Sequence, residues 1–300
     1  MRTRVLLVLL ALLVASGSPG LAAADPPTAQ REARLRDRIA RAGGDVDAQL
    51  ALAELRLRSG DAEGALRELE VTTALSPSAH RARVLRAQAF LALRRPEDAL
   101  AELDRYVRQT GGDAPSHTLR ASVLESLERW EPALADVEAA LETESTVDLH
   151  LARARLLGRL DRASAAAAAL ELGLTRHEGA AVLRVALIDA LRRLGRPGPA
   201  LRHVEALITD ASVAPRWRVT RAELLDELGR PTEARAERAR ALRDAERMLT
   251  RRRSALALLE RGRALLALGR EGEARADLEQ ALRRAPSLTE ARVLLARSAR

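Results

Sequence analysis

The sequence predicts an all-α chain, an α-solenoid of about seven stacked helix-turn-helix units with capping helices, and three observations predict it. Apolar residues make up 47% of the 300 residues and aromatics only 1%, so Leu, Ala and Val must build the core, a composition that favours helices. Apolar positions recur at the three-and-four spacing of a helix face. A short phrase also returns at a near-constant interval, the mark of a repeat architecture.

The phrase reads Ser59-Gly60-Asp61-Ala62-Glu63-Gly64-Ala65, then Leu93-Arg94-Arg95-Pro96-Glu97-Asp98-Ala99 and Leu127-Glu128-Arg129-Trp130-Glu131-Pro132-Ala133. A weaker copy runs from Leu160 to Ala166, and three more run from Leu194 to Ala200, Leu228 to Ala234 and Leu268 to Ala274. The closing alanines stand at 65, 99, 133, 166, 200, 234 and 274, so the intervals are 34, 34, 33, 34, 34 and 40. The long interval points to an insertion of about six residues near Arg251-Arg252-Arg253.

Each phrase sits where one helix stops and the next begins. Gly60, Gly195, Gly229 and Gly269 suit the left-handed residue past a helix end, and Pro96, Pro197 and Pro231 suit a helix's first turn. Ahead of the turn, Val84, Ala87, Phe90, Leu91 and Leu93 keep helical spacing, as do Leu259, Gly262, Leu265, Leu266 and Leu268. Behind it, Ala133, Val137, Ala140 and Leu141 do the same. Twelve residues before each closing alanine stands a small residue, Ala53, Ala87, Ala121, Ala154, Ala222 or Gly262, with Ile188 the exception. A small side chain at a fixed place lets two helix backbones approach closely.

This unit, with its small residue in the first helix, its turn, its early alanine in the second helix and Pro286 after the last copy, resembles the tetratricopeptide repeat family. The resemblance covers about Asp45 to Pro286. Large aromatic residues common in that family are here mostly Leu, Arg or His. The domain organisation expected is a signal peptide at 1–24, an N-terminal linker and capping helix at 25–44, the repeat array at 45–287 and a C-terminal capping helix at 288–300. Thr28 to Ala42 and Thr289 to Arg300 are the two capping helices, Leu294 and Leu295 packing inward.

Arg2 and Arg4, the apolar run Val5 to Ala15, a turn-prone stretch and Ala22-Ala23-Ala24 make the three parts of a signal peptide, with cleavage expected between Ala24 and Asp25. The mature protein is then expected to be periplasmic or secreted. An uncleaved segment would instead anchor the array, and this is the route of membrane contact the N-terminus offers.

The chain contains no Lys, Asn or Cys, so all 50 of its basic residues are Arg. That excludes a phosphate-loop lysine, a Schiff base, a thiol nucleophile and any disulfide. Net charge is +8 and the isoelectric point about 11.1, but Arg alternates with Glu and Asp, as on solvated helix faces. Nucleic acid is not expected as a partner, because stacking needs aromatics and only Phe90, Tyr106, Trp130 and Trp217 exist. The five histidines form no ligand-spaced motif, His177-Glu178 does not continue into a zinc-protease motif, and no nucleophile elbow is present. No catalytic residue, cofactor or metal is therefore expected, and the protein is not read as an enzyme.

The resemblance implies that first helices line the inner, concave face and contact an unidentified protein or peptide. Glu54, Arg58, Gln88 and Ser122 fall there, followed by Arg155, Arg159, Asp189, Arg192 and Arg193, then Glu223, Asp226 and Glu227. The arginines at 155, 159, 192 and 193 are the candidates to receive an acidic segment; the competing reading is that they pair internally with Asp189 and neighbouring acids. The function expected is a protein-binding scaffold of the bacterial envelope. The alternative is an Arg-rich module for an anionic polymer or membrane surface, using Arg251-Arg252-Arg253.

Overall fold

Seven times a helix is followed by one residue in the left-handed backbone region. That residue is Gly60, Gly195, Gly229 or Gly269 at φ between 63° and 85°, and Arg94, Glu128 or Asp161 at φ between 56° and 60°. Six of the turns share a hydrogen-bond pattern: the Arg95 N–H donates to the Phe90 carbonyl and the Arg94 N–H to Leu91, as Arg230 and Gly229 do to Leu225 and Asp226. These two bonds satisfy carbonyls that a helix end leaves unpaired. The conformation is held even where a Cβ makes it costly, because the repeat's packing requires the reversal.

The computed structural model describes residues 26–42, 44–210 and 214–298, all of its regular elements helical. The expected signal segment at 1–24 lies outside the described residues. In chain order the helices are α1 (Pro26–Ala42), α2 (Val46–Arg58), α3 (Ala62–Leu75), α4 (His80–Ala92), α5 (Pro96–Thr110), α6 (Ala114–Ser126), α7 (Trp130–Thr143) and α8 (Val147–Arg159). They continue as α9 (Ala163–Arg176), α10 (Ala181–Arg193), α11 (Pro197–Asp210), α12 (Ala214–Glu227), α13 (Pro231–Arg251), α14 (Ala255–Ala267), α15 (Glu271–Arg284) and α16 (Thr289–Arg297). Between α1 and α16 the first unit holds three helix pairs and α8, and the second holds α9 and three helix pairs, an α-solenoid arrangement. The chain divides into two compact units at Leu160/Asp161, inside the fourth and weakest copy of the phrase.

Helix starts follow local chemistry. Asp45, Asp61, Asp113, Thr146 and Ser254 accept a backbone N–H three residues on, and Asp113 and Ser116 cap each other reciprocally at 2.9 Å both ways. Where no such cap exists, Pro96 and Pro231 open the helix, supplying the right φ and no surplus donor. The long interval is not a loop. α13 runs for 21 residues where α15 runs for 14, because the stretch from Thr232 to Arg251 contains no Gly or Pro and is rich in Ala, Arg, Glu and Leu.

In the first unit α2, α3 and α4 enclose Leu50, Ala53, Ala65, Leu69, Ala82 and Leu85. In the second, Val219, Ala241, Leu242, Ala264, Leu265 and Ala274 join α12 to α15, and Leu258, Leu259, Leu278, Ala281 and Ala291 join α14 and α15 to α16. Leu294 and Leu295 pack against that last cluster. Each core crosses from one helix pair into the next, so the pairs are stable only as a stack. All seven closing alanines are buried, as are Ala53, Ala87, Ala121, Ala154, Ile188 and Ala222. At Gly262 a Cβ would stand 2.9 Å from Leu278 Cγ, which is why the smallest residue occupies that crossing.

Candidate interaction face

Two sets of charges run along the repeats, one inside and one outside. The inner set begins three residues after the closing alanine, where Glu68, Glu102, Asp136, Glu237 and Asp277 point back at the first helix of the same pair. Glu102 is nearly inaccessible and is bridged by Arg83 at 3.2 Å, Arg86 at 3.3 Å and Arg105 at 3.3 Å. Asp136 takes a two-pronged guanidinium from Arg120 at 2.8 and 2.7 Å, and His117 Nδ1 lies 2.7 Å away. Glu237 is held by Arg218, Arg221 and Arg240, and Asp277 by both prongs of Arg261 at 2.5 and 2.6 Å.

These acids occupy the interior where a helix pair would otherwise pack large apolar or aromatic groups. Arg suits the place because its planar fork matches a carboxylate and its stem covers apolar surface. The carboxylates and guanidiniums therefore hold helix to helix within a pair. They are structural, and sequence reasoning missed them by reading alternating charge as solvated surface. The signal was present, an acid at a fixed offset in five of the seven copies.

The outer set lies on the first helices, and here the candidate residues are placed. In the first unit Arg155, on α8, grips Glu125 of α6 with both prongs, at 2.8 and 3.2 Å. Arg159 lies over the Trp130 ring, 5.3 Å from its centroid, a cation–π contact. At the start of this unit Arg81 of α4 bonds Glu54 of α2 at 2.5 Å, and Glu54 also meets Arg58. In the second unit Arg192, on α10, spans Glu223 at 3.0 Å and Glu227 at 3.3 Å, both on α12. Arg193 donates Nε to the Asp189 carbonyl at 3.3 Å and stays exposed. Asp226 is turned toward Arg238 of α13.

The structure thus brings Arg192 together with Glu223 and Glu227, and separately Arg155 with Glu125. It places Arg155 and Arg159 in one unit and Arg192 and Arg193 in the other. Glu125 and Arg81 were not singled out from the sequence; their offsets of 30 and 27 residues from Arg155 and Glu54, close to the repeat length, were the available clue. What results is a row of carboxylates and guanidiniums half open to water, each pair tying one repeat's first helix to the next. Such pairs contribute little to stability, about 0–1 kcal/mol each, and exchange partners readily.

Two of the histidines make contacts inside the scaffold. His117 contacts Asp136 and the Gly111 carbonyl, and His150, buried, contacts Ser145 at 3.1 Å. Burial and the nearby Arg184 and Arg202 charges keep His203 below its ordinary pKa, Glu171 opposing them weakly. Among the described residues no group of three or more His, Asp or Glu could hold a metal ion, and no helix is long and apolar enough to cross a membrane.

Tetratricopeptide repeat profiles match residues 56–123, 185–246 and 255–288. A tetratricopeptide repeat protein from Parabacteroides merdae is similar at TM-score 0.50 and 18% identity, over 90% of this chain and 100% of its own. The C-terminal part of a repeat-containing protein from Cytophaga hutchinsonii is similar at TM-score 0.59 and 13% identity, over 82% and 99%. YrrB, described as having an unusual peptide-binding site, is similar at 0.51 and 16% over 58% and 91%. In sequence, 61 residues are 36% identical to the DnaJ homolog subfamily C member 7 homolog of Schizosaccharomyces pombe, 20% of this chain but only 13% of that relative's length. The chain belongs to the tetratricopeptide repeat family, and its helix pairs, buried alanines and left-handed turns are the family's architecture. It is a protein-interaction scaffold of that class.

Proposed function

We propose that this scaffold works in the bacterial cell envelope, exported by its N-terminal segment, and that it binds a protein or peptide partner on the concave face lined by first helices without catalysing a reaction. The observation that supports this most is the half-open row of charges on α10 and α12. Arg192 and Arg193 offer two neighbouring guanidiniums, and Glu223 and Glu227 hold one of them in place as exchangeable stand-ins for a partner's carboxylates. A partner segment carrying acidic side chains takes over those contacts while its backbone lies along the helices. YrrB's peptide-binding site illustrates the kind of ligand such a face receives.

Two measurements test the reading. Fractionation of cells making the tagged chain should place it in the periplasm or medium, with intact mass showing removal of residues 1–24; an intact cytosolic chain refutes export. Affinity capture should recover a partner whose retention drops at least tenfold with Arg192→Glu and Arg193→Glu together. Unchanged capture by that variant removes these arginines from the site.

A further inference from the structure

The joint between the sixth and seventh helix pairs differs in chemistry from every other. The remaining joints, 76–79, 111–113, 144–146, 177–180, 211–213 and 285–288, contain no arginine, whereas this one follows Arg251 with Arg252-Arg253-Ser254. It comes at the end of the seven-residue extension of α13, which the repeat itself does not need. Arg284, at the end of α15, donates its guanidinium to the Arg253 carbonyl, so Arg284 is drawn to the same corner, with Arg283 its neighbour in the last turn. Arg251, Arg252, Arg253, Arg283 and Arg284 are all exposed, and none has a carboxylate within ion-pair reach among the described residues. The nearby acid Asp244 is already taken by Arg218 and Arg247, and Glu246 and Glu279 lie a turn or more back along their helices.

A guanidinium near a helix C-terminus is ordinarily explained by the helix dipole. That accounts for Arg251, Arg283 and Arg284, but Arg252 and Arg253 stand beyond the helix end. Beside the arginines, Leu256 in the first turn of α14 is 47% exposed. A convergence of guanidiniums with one projecting leucine fits a headgroup layer, where phosphates meet the charges and the leucine enters the acyl boundary.

We propose that this corner docks the second unit onto an anionic phospholipid surface. The proposal is independent of the partner face on the first helices. The test uses the full chain in co-sedimentation with phosphatidylcholine vesicles and with vesicles containing about one third phosphatidylglycerol; the N-terminal segment, with Arg2 and Arg4, is common to parent and variants, so the ratio of the two partitions is compared between them. Reversing Arg251, Arg252 and Arg253 to Glu should lower that ratio at least about a hundredfold, at about a factor of five for each of the three positive charges lost. Reversing Arg67, Arg108 and Arg176, which are exposed elsewhere, should lower it only a few-fold. Circular dichroism confirms that both variants remain folded. Leu256→Ser should lower the ratio several-fold and leave binding to soluble polyphosphate unchanged. Equal losses in the two charge variants, or no effect of Leu256→Ser on vesicle binding, overturns the proposal.

Discussion

Replacing Asp136 with Ala tests whether buried ion pairs rather than aromatic packing hold the helix pairs together. The Asp136 side chain is 3% exposed, and it receives both prongs of Arg120 and the imidazole of His117. Removing one partner of a buried pair costs about 3–5 kcal/mol, because the other charge is left in a dry place. Arg120 keeps Asp104 at 3.1 Å and is 20% exposed, so part of its hydration returns and the lower end, about 3 kcal/mol, is expected. With a urea slope of about 2 kcal/mol/M for a unit of this size, the midpoint of the first unit falls by about 1.5 M. Urea titration followed by far-UV circular dichroism measures it. A fall below about 0.5 M refutes the reasoning, because a pair worth so little would already be equilibrated with water. The double replacement Asp136→Leu with Arg120→Leu should recover to within about 1 kcal/mol of the parent, since apolar groups of similar size fill such a site without stranding a charge.

Other predictions follow from single features. Arg94→Gly and Glu128→Gly should each stabilise the first unit by about 0.5–1 kcal/mol by relieving a left-handed Cβ, and Gly195→Ala should destabilise the second by about 1 kcal/mol, all read from urea midpoints. Asp113→Ala removes the side-chain half of the reciprocal cap on α6, leaving the residue 113 N–H on Ser116 Oγ, and should cost about 1 kcal/mol. Burial works to raise the Asp244 carboxyl, but hydrogen bonds from Arg247 and Arg218 outweigh it and hold the group below 3.8. Its stabilising contribution is therefore present above that value and lost as the pH falls through the lower folded pKa; Asp244→Asn should flatten the acid limb of a midpoint-against-pH curve. Glu260 acts in the opposite sense. Burial raises it above 4.5 against the pull of Arg263, so its ionisation opposes folding once the pH exceeds the unfolded value, and Glu260→Gln should raise the midpoint at pH 7.

The architecture was legible because the features that fix it recur. A closing alanine every 34 residues, with a small residue twelve before it, marks both sides of one close helix contact, and every such alanine proved buried. Repetition also carried information where local chemistry did not: Arg94, Glu128 and Asp161 are poor left-handed residues, yet the register alone puts them at the turn. The insertion was legible in position and not in form, since a 40-residue interval fits a loop or a longer helix equally. The candidate face was drawn from the repeat register as a set of first-helix positions. Which charge meets which was not, because Arg155 with Glu125 and Arg192 with Glu227 depend on how successive repeats slide past one another. The inner bridges were hidden for a different reason. Helical periodicity counts a charged residue as outward-facing, and Glu102, Asp136 and Glu237 face inward only because arginines on the partner helix arrive with them.

The scarcity of aromatic residues leaves each unit with one tryptophan. Trp130 opens α7 beneath the Arg159 guanidinium, and Trp217 lies on α12 beneath Arg216, 4.8 Å from the ring centroid. Each indole is half-buried: the Arg159 cation leaves Trp130 when α8 separates from α7, whereas Arg216 is Trp217's own neighbour on α12, so Trp217 reports through its exposure to water when α12 loses its packing. With the other indole replaced by Phe, intrinsic fluorescence follows the melting of a single half of the molecule with no label attached. The chain thus carries two optical channels, one for each unit.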